Sequence, residues 1–208
     1  MGVVEHEITS VAELEAILGQ PLPAAADKVR HELHPVDRDW LAASTLCFIA
    51  TANARGDADV SPKGDPAGFT VVLDSTTIAI PERPGNRRAD GFHNLLENPH
   101  VGLVFLIPGR GDTLRINGTA RLLGDAPYFD DMVVRGNRPI LAMEVAIDEV
   151  FYHCSKAFLR SNAWEAETWT PDAAPRRALI AKTVERPDAD LAELEEYYGP
   201  AYAKKIYG

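Results

Sequence analysis

Three arginines, Arg83, Arg87 and Arg88, fall within six residues of the stretch PERPGNRRADGFHNLLENP, residues 81–99. A guanidinium is planar, and its forked N–H donors match the oxygens of a phosphate. Pro84 and Gly85 tighten the turn and converge the side chains. If Asn86 caps the helix that follows, its free N–H groups and the positive end of its dipole point to the same place. The arrangement reads as a phosphate grip. A solvated basic loop is the alternative that the same residues allow.

Other stretches carry polar groups at suggestive spacing. In VSPKGD, residues 60–65, Lys63 sits at the end of a short strand beside Gly64, where it would reach the polar edge of a bound ring or simply decorate a surface turn. In TLRINGTARL, residues 113–122, Arg115 and Asn117 share one face of a strand, while Leu114 and Ile116 share the other. A barrel with a polar outer face gives that pattern without any ligand. FYHCSKAFLRSNAW, residues 151–164, mixes a thiol, cations and aromatics, and reads as a covering segment for a ligand or as an ordinary aromatic turn. Cys154 lies near Lys156 but has no evident base, so nucleophilic catalysis is not expected.

The elements that must hold these residues are legible in the periodicity. Ser10 is expected to cap a helix with Val11, Leu14, Ile17 and Leu18 on one face. A second helix is expected over residues 24–34 and a third over 35–44. Strands are expected in TLCFIATAN, ADVSPKGDP, FTVVLD, TIAIP, HVGLVFLIP, DTLRINGTARLLG and PILAMEVAIDEVFYH. A helix fills RRADGFHNLLEN and stops at Pro99. APYFDDMVV reads as helical, SKAFLRSNAW as a short helix or turn, and two more helices close the chain. The fold class is mainly β with flanking helices (α+β), a small closed or nearly closed barrel. One domain is expected across 1–208, with N-terminal helices at about 10–44 and C-terminal helices at about 174–206.

Composition sets limits. The 208 residues carry 21 Lys+Arg against 31 Asp+Glu, a formal charge of −10. That field disfavours nucleic acid and anionic membranes. The first residues lack the pattern of a secretion signal and no apolar run is long enough for a bilayer, so a cytoplasmic location is expected. Two distant cysteines suggest neither a disulfide framework nor a zinc pair. The RGD triplets at 55–57 and 110–112 read as hairpin turns. HELH at 31–34 lacks the histidine spacing of zinc proteases. No dinucleotide fingerprint, Walker loop or nucleophile elbow is present.

Taken in order, VSPKGD, the IAIPERPGNRRADGFHNLLENP stretch, TLRINGTARLL and FYHCSKAFLRSNAW resemble the pyridoxamine 5'-phosphate oxidase-like, FMN-binding split-barrel superfamily, and especially a branch of probable FMN-dependent enzymes. The resemblance covers about residues 30–165. It implies that Arg87 and Arg88 hold the FMN phosphate, that Val60, Ser61, Pro62 and Lys63 run along the ring, and that Thr113, Arg115 and Asn117 lie on a strand facing the flavin. It also implies a homodimer with flavin at the interface, where Arg160, Ser161 and Trp164 reach the flavin of the other copy. A phosphate-binding arginine of the namesake oxidase is replaced by Ala58, and Arg83 is expected to substitute. The tail LAELEEYYGPAYAKKIYG lacks the arginine- and histidine-bearing motif that grips the substrate phosphate in that oxidase, which points to a small-molecule substrate other than pyridoxamine phosphate. The expected function is an FMN-dependent oxidoreductase with no protein nucleophile. The alternatives are a flavin sensor or carrier without turnover, and a split barrel holding haem (through His93, His100 or His153) or a deazaflavin.

Overall fold

A computed structural model describes residues 5–207. Its centre is a seven-stranded antiparallel sheet of β1 (Leu46–Ala52), β2 (Ala58–Gly64), β3 (Val71–Val72), β4 (Thr77–Glu82), β5 (His100–Leu106), β6 (Thr113–Leu123) and β7 (Leu141–His153), in the order β2-β1-β5-β6-β7-β4-β3. Alternation decides which face turns inward. Cys47 and Ile49 of β1, Leu103 and Phe105 of β5, Leu114 and Ile116 of β6, and Val145 and Val150 of β7 all enter one buried core. Complete burial of each large aliphatic side chain there contributes roughly 1.5–3 kcal/mol. The intervening residues, among them Phe48, Ala50, Arg115 and Asn117, face outward.

The sheet curls until its ends meet. β2 and β4 share no backbone ladder, yet Lys63 on β2 and Glu82 on β4 form an ion pair. Just beyond, Asp65 and Arg83 form another at 2.6 Å. The barrel is therefore split along one seam, and side chains bridge the gap. This is the α+β barrel expected from the strand pattern, split as the family resemblance implies.

Curvature also needs a bulge. The β6–β7 register shifts between Asn117 and Gly118. A Cβ on Gly118 would lie 2.1 Å from the carbonyl oxygen of Ala146, so only glycine fits where the two backbones close.

Helices close the open ends. α1 (Val11–Leu18) is capped by Ser10, whose hydroxyl accepts from the Glu13 N–H at 3.3 Å, and it buries none of its residues. α2 spans only Pro23–Ala26. α3 (Pro35–Ala43) starts with proline in its first turn and drives Trp40 and Leu41 into the core. α4 (Asp90–Glu97) connects β4 to β5 and buries Leu95. A 3₁₀ turn at Pro127–Met132 covers a smaller core of Ala79, Phe129, Met132 and Ala142. α5 (Lys156–Ser161) follows β7. α6 (Arg177–Ile180), a π turn and α7 (Leu191–Tyr197) then pack Ala178, Ala181 and Leu194 together as a third cluster. No helix among the described residues is long and apolar enough to cross a membrane.

The helix expected over 24–34 shrinks to the single turn of α2 and ends at Ala26. Arg30 instead makes a two-way backbone bridge with Val150, at 3.0 and 2.7 Å, and its guanidinium pairs with the buried Asp37. Long-range pairing overrides the local helical pattern there. The strand expected in FTVVLD shrinks to Val71 and Val72.

Candidate functional site

A cleft of about 590 Å³ lies along the seam, between β2, the β4–α4 loop and the start of β7. Six of the residues singled out in the sequence line it: Ser61, Pro62, Lys63, Arg83, Arg87 and Arg88.

The β4–α4 loop forms one wall. Asn86 does not cap α4. Its side-chain Oδ1 accepts from the Arg88 N–H at 3.0 Å in a local turn, and the cap position belongs to Ala89, which offers no side-chain cap. Two residues of the loop are left-handed without being glycine, Arg87 at φ 64° and Ala89 at φ 57°. Each such residue costs about 1–2 kcal/mol. Strain of this kind persists where the surroundings enforce it, commonly at ligand clamps. The uncapped end leaves the N–H groups of Asp90 and Gly91 without a hydrogen-bond partner among the described residues. Arg88 lies across Asp90 as an ion pair and is largely exposed. Arg87 is exposed and has no ion-pair partner among the described residues.

β2 provides the opposite wall. Asp59, Ser61 and Lys63 share one face of the strand, while Val60 points outward. The Ser61 hydroxyl donates to Asp59 at 3.0 Å. Asp59 also approaches the start of α4: a Cβ on Gly91 would sit 3.2 Å from its carboxylate, so glycine there permits the close contact. The Lys63 ammonium lies 4.9 Å from the Phe92 ring centroid and pairs with Glu82. Ile140 and Leu141 add an apolar border.

Arg83 lines the same cleft, but its guanidinium turns inward. Its Nε donates to Asp65 at 2.6 Å, and its terminal nitrogens donate to the carbonyls of Asn137 at 3.1 Å and Met132 at 2.7 Å. In this conformation it ties three loops together.

The remaining sequence candidates do not line the cleft. Thr113 is buried at the start of β6. Arg115 lies on the outer face of the sheet, 5.0 Å from the Phe151 ring centroid, and its buried Nε has no hydrogen-bond partner among the described residues. Asn117 donates to Glu149 at 2.8 Å. Ser161 donates to the Phe158 carbonyl at 3.2 Å, and Arg160 is exposed. The Trp164 ring stacks on Phe158 at 5.7 Å and its indole N–H donates to the Arg110 carbonyl at 2.7 Å. The cleft thus gathers the candidates of β2 and the β4–α4 loop, while those of β6 and of residues 160–164 lie elsewhere in the fold.

Sequence reasoning missed Asp59 and Glu82. Asp59 was detectable, because it shares strand parity with Ser61 and Lys63. Glu82 carried no local signal, since its partner lies on a strand that is not its neighbour.

A family model described as pyridoxamine 5'-phosphate oxidase matches residues 33–154, more than half of the chain. No curated protein matches it. Among solved structures, HupZ from Group A Streptococcus is 18% identical, covering 58% of this chain and 93% of its own with a TM-score of 0.47. A Lactobacillus delbrueckii protein provisionally called a pyridoxamine 5'-phosphate oxidase is 23% identical, covering 60% and 98% with a TM-score of 0.46. An FMN-binding protein from Syntrophomonas wolfei is 14% identical, covering 57% and 89% with a TM-score of 0.41. The matched residues run from the start of α3 to the end of β7 and so include both walls of the cleft: this chain belongs to the pyridoxamine 5'-phosphate oxidase family.

Proposed function

We propose that this chain is an FMN-dependent oxidoreductase that binds the cofactor's phosphate at the β4–α4 loop. One observation carries the reading. Two adjacent arginines sit on a strained left-handed loop at an uncapped helix start, and that loop faces a cleft of ligand size. The residues fit the group. The free N–H groups of Asp90 and Gly91 and the guanidinium groups of Arg87 and Arg88 are donors, and a phosphate is an acceptor only.

When bound, FMN supplies the hydride or electron chemistry itself. The chain's own residues bind and orient. Arg87 and Arg88 neutralise the phosphate. Lys63, held by Glu82 over Phe92, presents a fixed cationic donor on the wall opposite the loop. Asp59 and Ser61 offer a polar strip between the two, and Ile140 and Leu141 limit water at the rim.

The reading includes a homodimer. Arg115 and its cross-strand neighbour Phe151 lie on the same outer side of the sheet as the exposed Phe48 two strands away. An outward sheet face that carries such aromatic side chains suits burial against a second copy, and the segment 156–164 of that copy, with Arg160, Ser161 and Trp164, completes the site. The substrate is a small molecule other than pyridoxamine phosphate.

The test is FMN titration of the apoprotein, followed by flavin fluorescence, in wild type and in Arg87→Ala/Arg88→Ala. Each lost charge-assisted hydrogen bond costs about 1.5–3 kcal/mol, so the double variant should bind at least a hundredfold more weakly with its circular dichroism unchanged. Equal affinity in the two proteins defeats the phosphate assignment. Reduction of the loaded protein by NAD(P)H or another donor separates an enzyme from a flavin carrier.

A further inference from the structure

Asp59 is a carboxylate inside a cleft otherwise furnished for an anion. It lines that cleft together with Ser61, Lys63, Arg87 and Arg88. On β2 it shares a face with Ser61 and Lys63, and it stands at the end of that face nearest α4. A Cβ on Gly91, the second residue of α4, would lie 3.2 Å from its Oδ2. Asp90, and behind it Asp59, raise the pKa of the Arg88 guanidinium, so the carboxylate and the arginine share one electrostatic neighbourhood.

The carboxylate is held in place. Ser61 donates its hydroxyl to Oδ2 at 3.0 Å. Oδ1 accepts no hydrogen bond among the described residues, and neither oxygen takes the N–H groups of Asp90 and Gly91. This end of the cleft therefore sets donors, on the loop and the helix start, beside one fixed acceptor with unused capacity.

Chemistry narrows what suits this arrangement. A phosphate offers only acceptors, so it can satisfy Arg87, Arg88 and the helix N–H groups but not Asp59. Alone, it sets a second negative charge beside the first. A ligand hydroxyl resolves both difficulties, because it donates to the carboxylate and stands between the two anions. It must be carried close to the phosphate, since Asp59 adjoins the start of α4. Lys63 lies four residues further along the strand, roughly 13 Å away. A ligand that spans both has hydroxyls at its phosphate end and its ring at the other.

We propose that Asp59 is a specificity-determining residue, which selects phosphate esters of a hydroxyl-bearing chain, such as the ribityl chain of FMN, over phosphates on a chain without hydroxyls. The proposal rests on the reading of the cleft as a phosphate site. Ser61 is then a positioning residue that aims the carboxylate. Pyridoxal phosphate, whose phosphate is joined to its ring through a single methylene, has no chain hydroxyl to offer.

The test compares FMN with a flavin phosphate whose chain hydroxyls are replaced by hydrogen, by flavin fluorescence, in wild type, Asp59→Ala and Asp59→Asn. Wild type should prefer FMN by about tenfold or more, the scale of one hydrogen bond to a charged group. In Asp59→Ala, with circular dichroism unchanged, the preference should vanish, and the analogue should bind no more weakly than to wild type because a repelling charge has gone. Asp59→Asn keeps the shape and one acceptor oxygen and should retain part of the preference. A wild type without preference overturns the proposal. So does an equal loss of both ligands in Asp59→Ala, which marks a structural role; the phosphate reading survives either result. If wild type binds neither flavin, the FMN reading fails, and calorimetry with ribitol 5-phosphate and pentyl phosphate decides the role of Asp59. A preference for the polyol that disappears in Asp59→Ala upholds it, and binding of neither ester overturns it together with the phosphate site.

Discussion

Lys63 and Glu82 join two strands that share no backbone hydrogen bond, and each side chain is only about one fifth exposed, at 21% and 20%. The pair closes the barrel seam where the cleft begins, so it serves both fold and site. Its strength should lie between that of an exposed pair and that of a buried one. Lys63→Ala is expected to destabilise the protein by about 1–2 kcal/mol, and Lys63→Ala/Glu82→Ala by less than the sum of the single changes. A double-mutant cycle in urea measures the coupling; additive effects would show that the pair is not a working bridge.

Gly118 sits where β6 and β7 change register. Any side chain there meets the Ala146 carbonyl at 2.1 Å, and backbone cannot yield as a flexible side chain can. Gly118→Ala should cost about 3 kcal/mol or more, at the upper end of single substitutions. The urea midpoint reads this directly. A midpoint within error of wild type would mean that the bulge relaxes freely.

Asp37 is fully buried at the base of α3. Burial alone would push its carboxyl up, but the Arg30 guanidinium and the His34 N–H outweigh it and hold the pKa below the ordinary value of 3.8. A depressed carboxylate contributes stability that is complete above the unfolded value and is lost as pH falls through the folded one. Asp37→Asn should therefore lose about 3 kcal/mol at neutral pH. The gap to wild type should narrow only below about pH 4. Thermal melts from pH 7 to pH 2 test this, and a gap that does not depend on pH would remove the ion pair as its source.

Of the two cysteines, Cys47 lies inside the barrel, where burial pushes its thiol far up, and Cys154 is exposed at the end of β7. Thiolate is the reactive form. Titration with a thiol reagent should find one reactive group in the native protein and two in denaturant. Two fast-reacting groups in the native state would show that the barrel opens readily.

Local chemistry was enough for much of this protein. Strand parity in TLRING already put Leu114 and Ile116 inside and Arg115 and Asn117 outside, because a pleated strand alternates whatever surrounds it. Ser10 and Pro35 marked helix starts, since a cap and a first-turn proline act within a few residues of themselves. The basic loop before α4 was visible for the same reason, as a cluster of charge beside turn residues. Tertiary structure decided the rest, because the deciding partners are distant in the chain. Arg30 left a helical pattern to bridge Val150 and pair with Asp37. Arg83 looked like a third phosphate ligand until Asp65 and the carbonyls of Met132 and Asn137 took its donors. Which of three neighbouring arginines stays free for a ligand depends on where buried acceptors need satisfying, and those acceptors meet only once the barrel has closed.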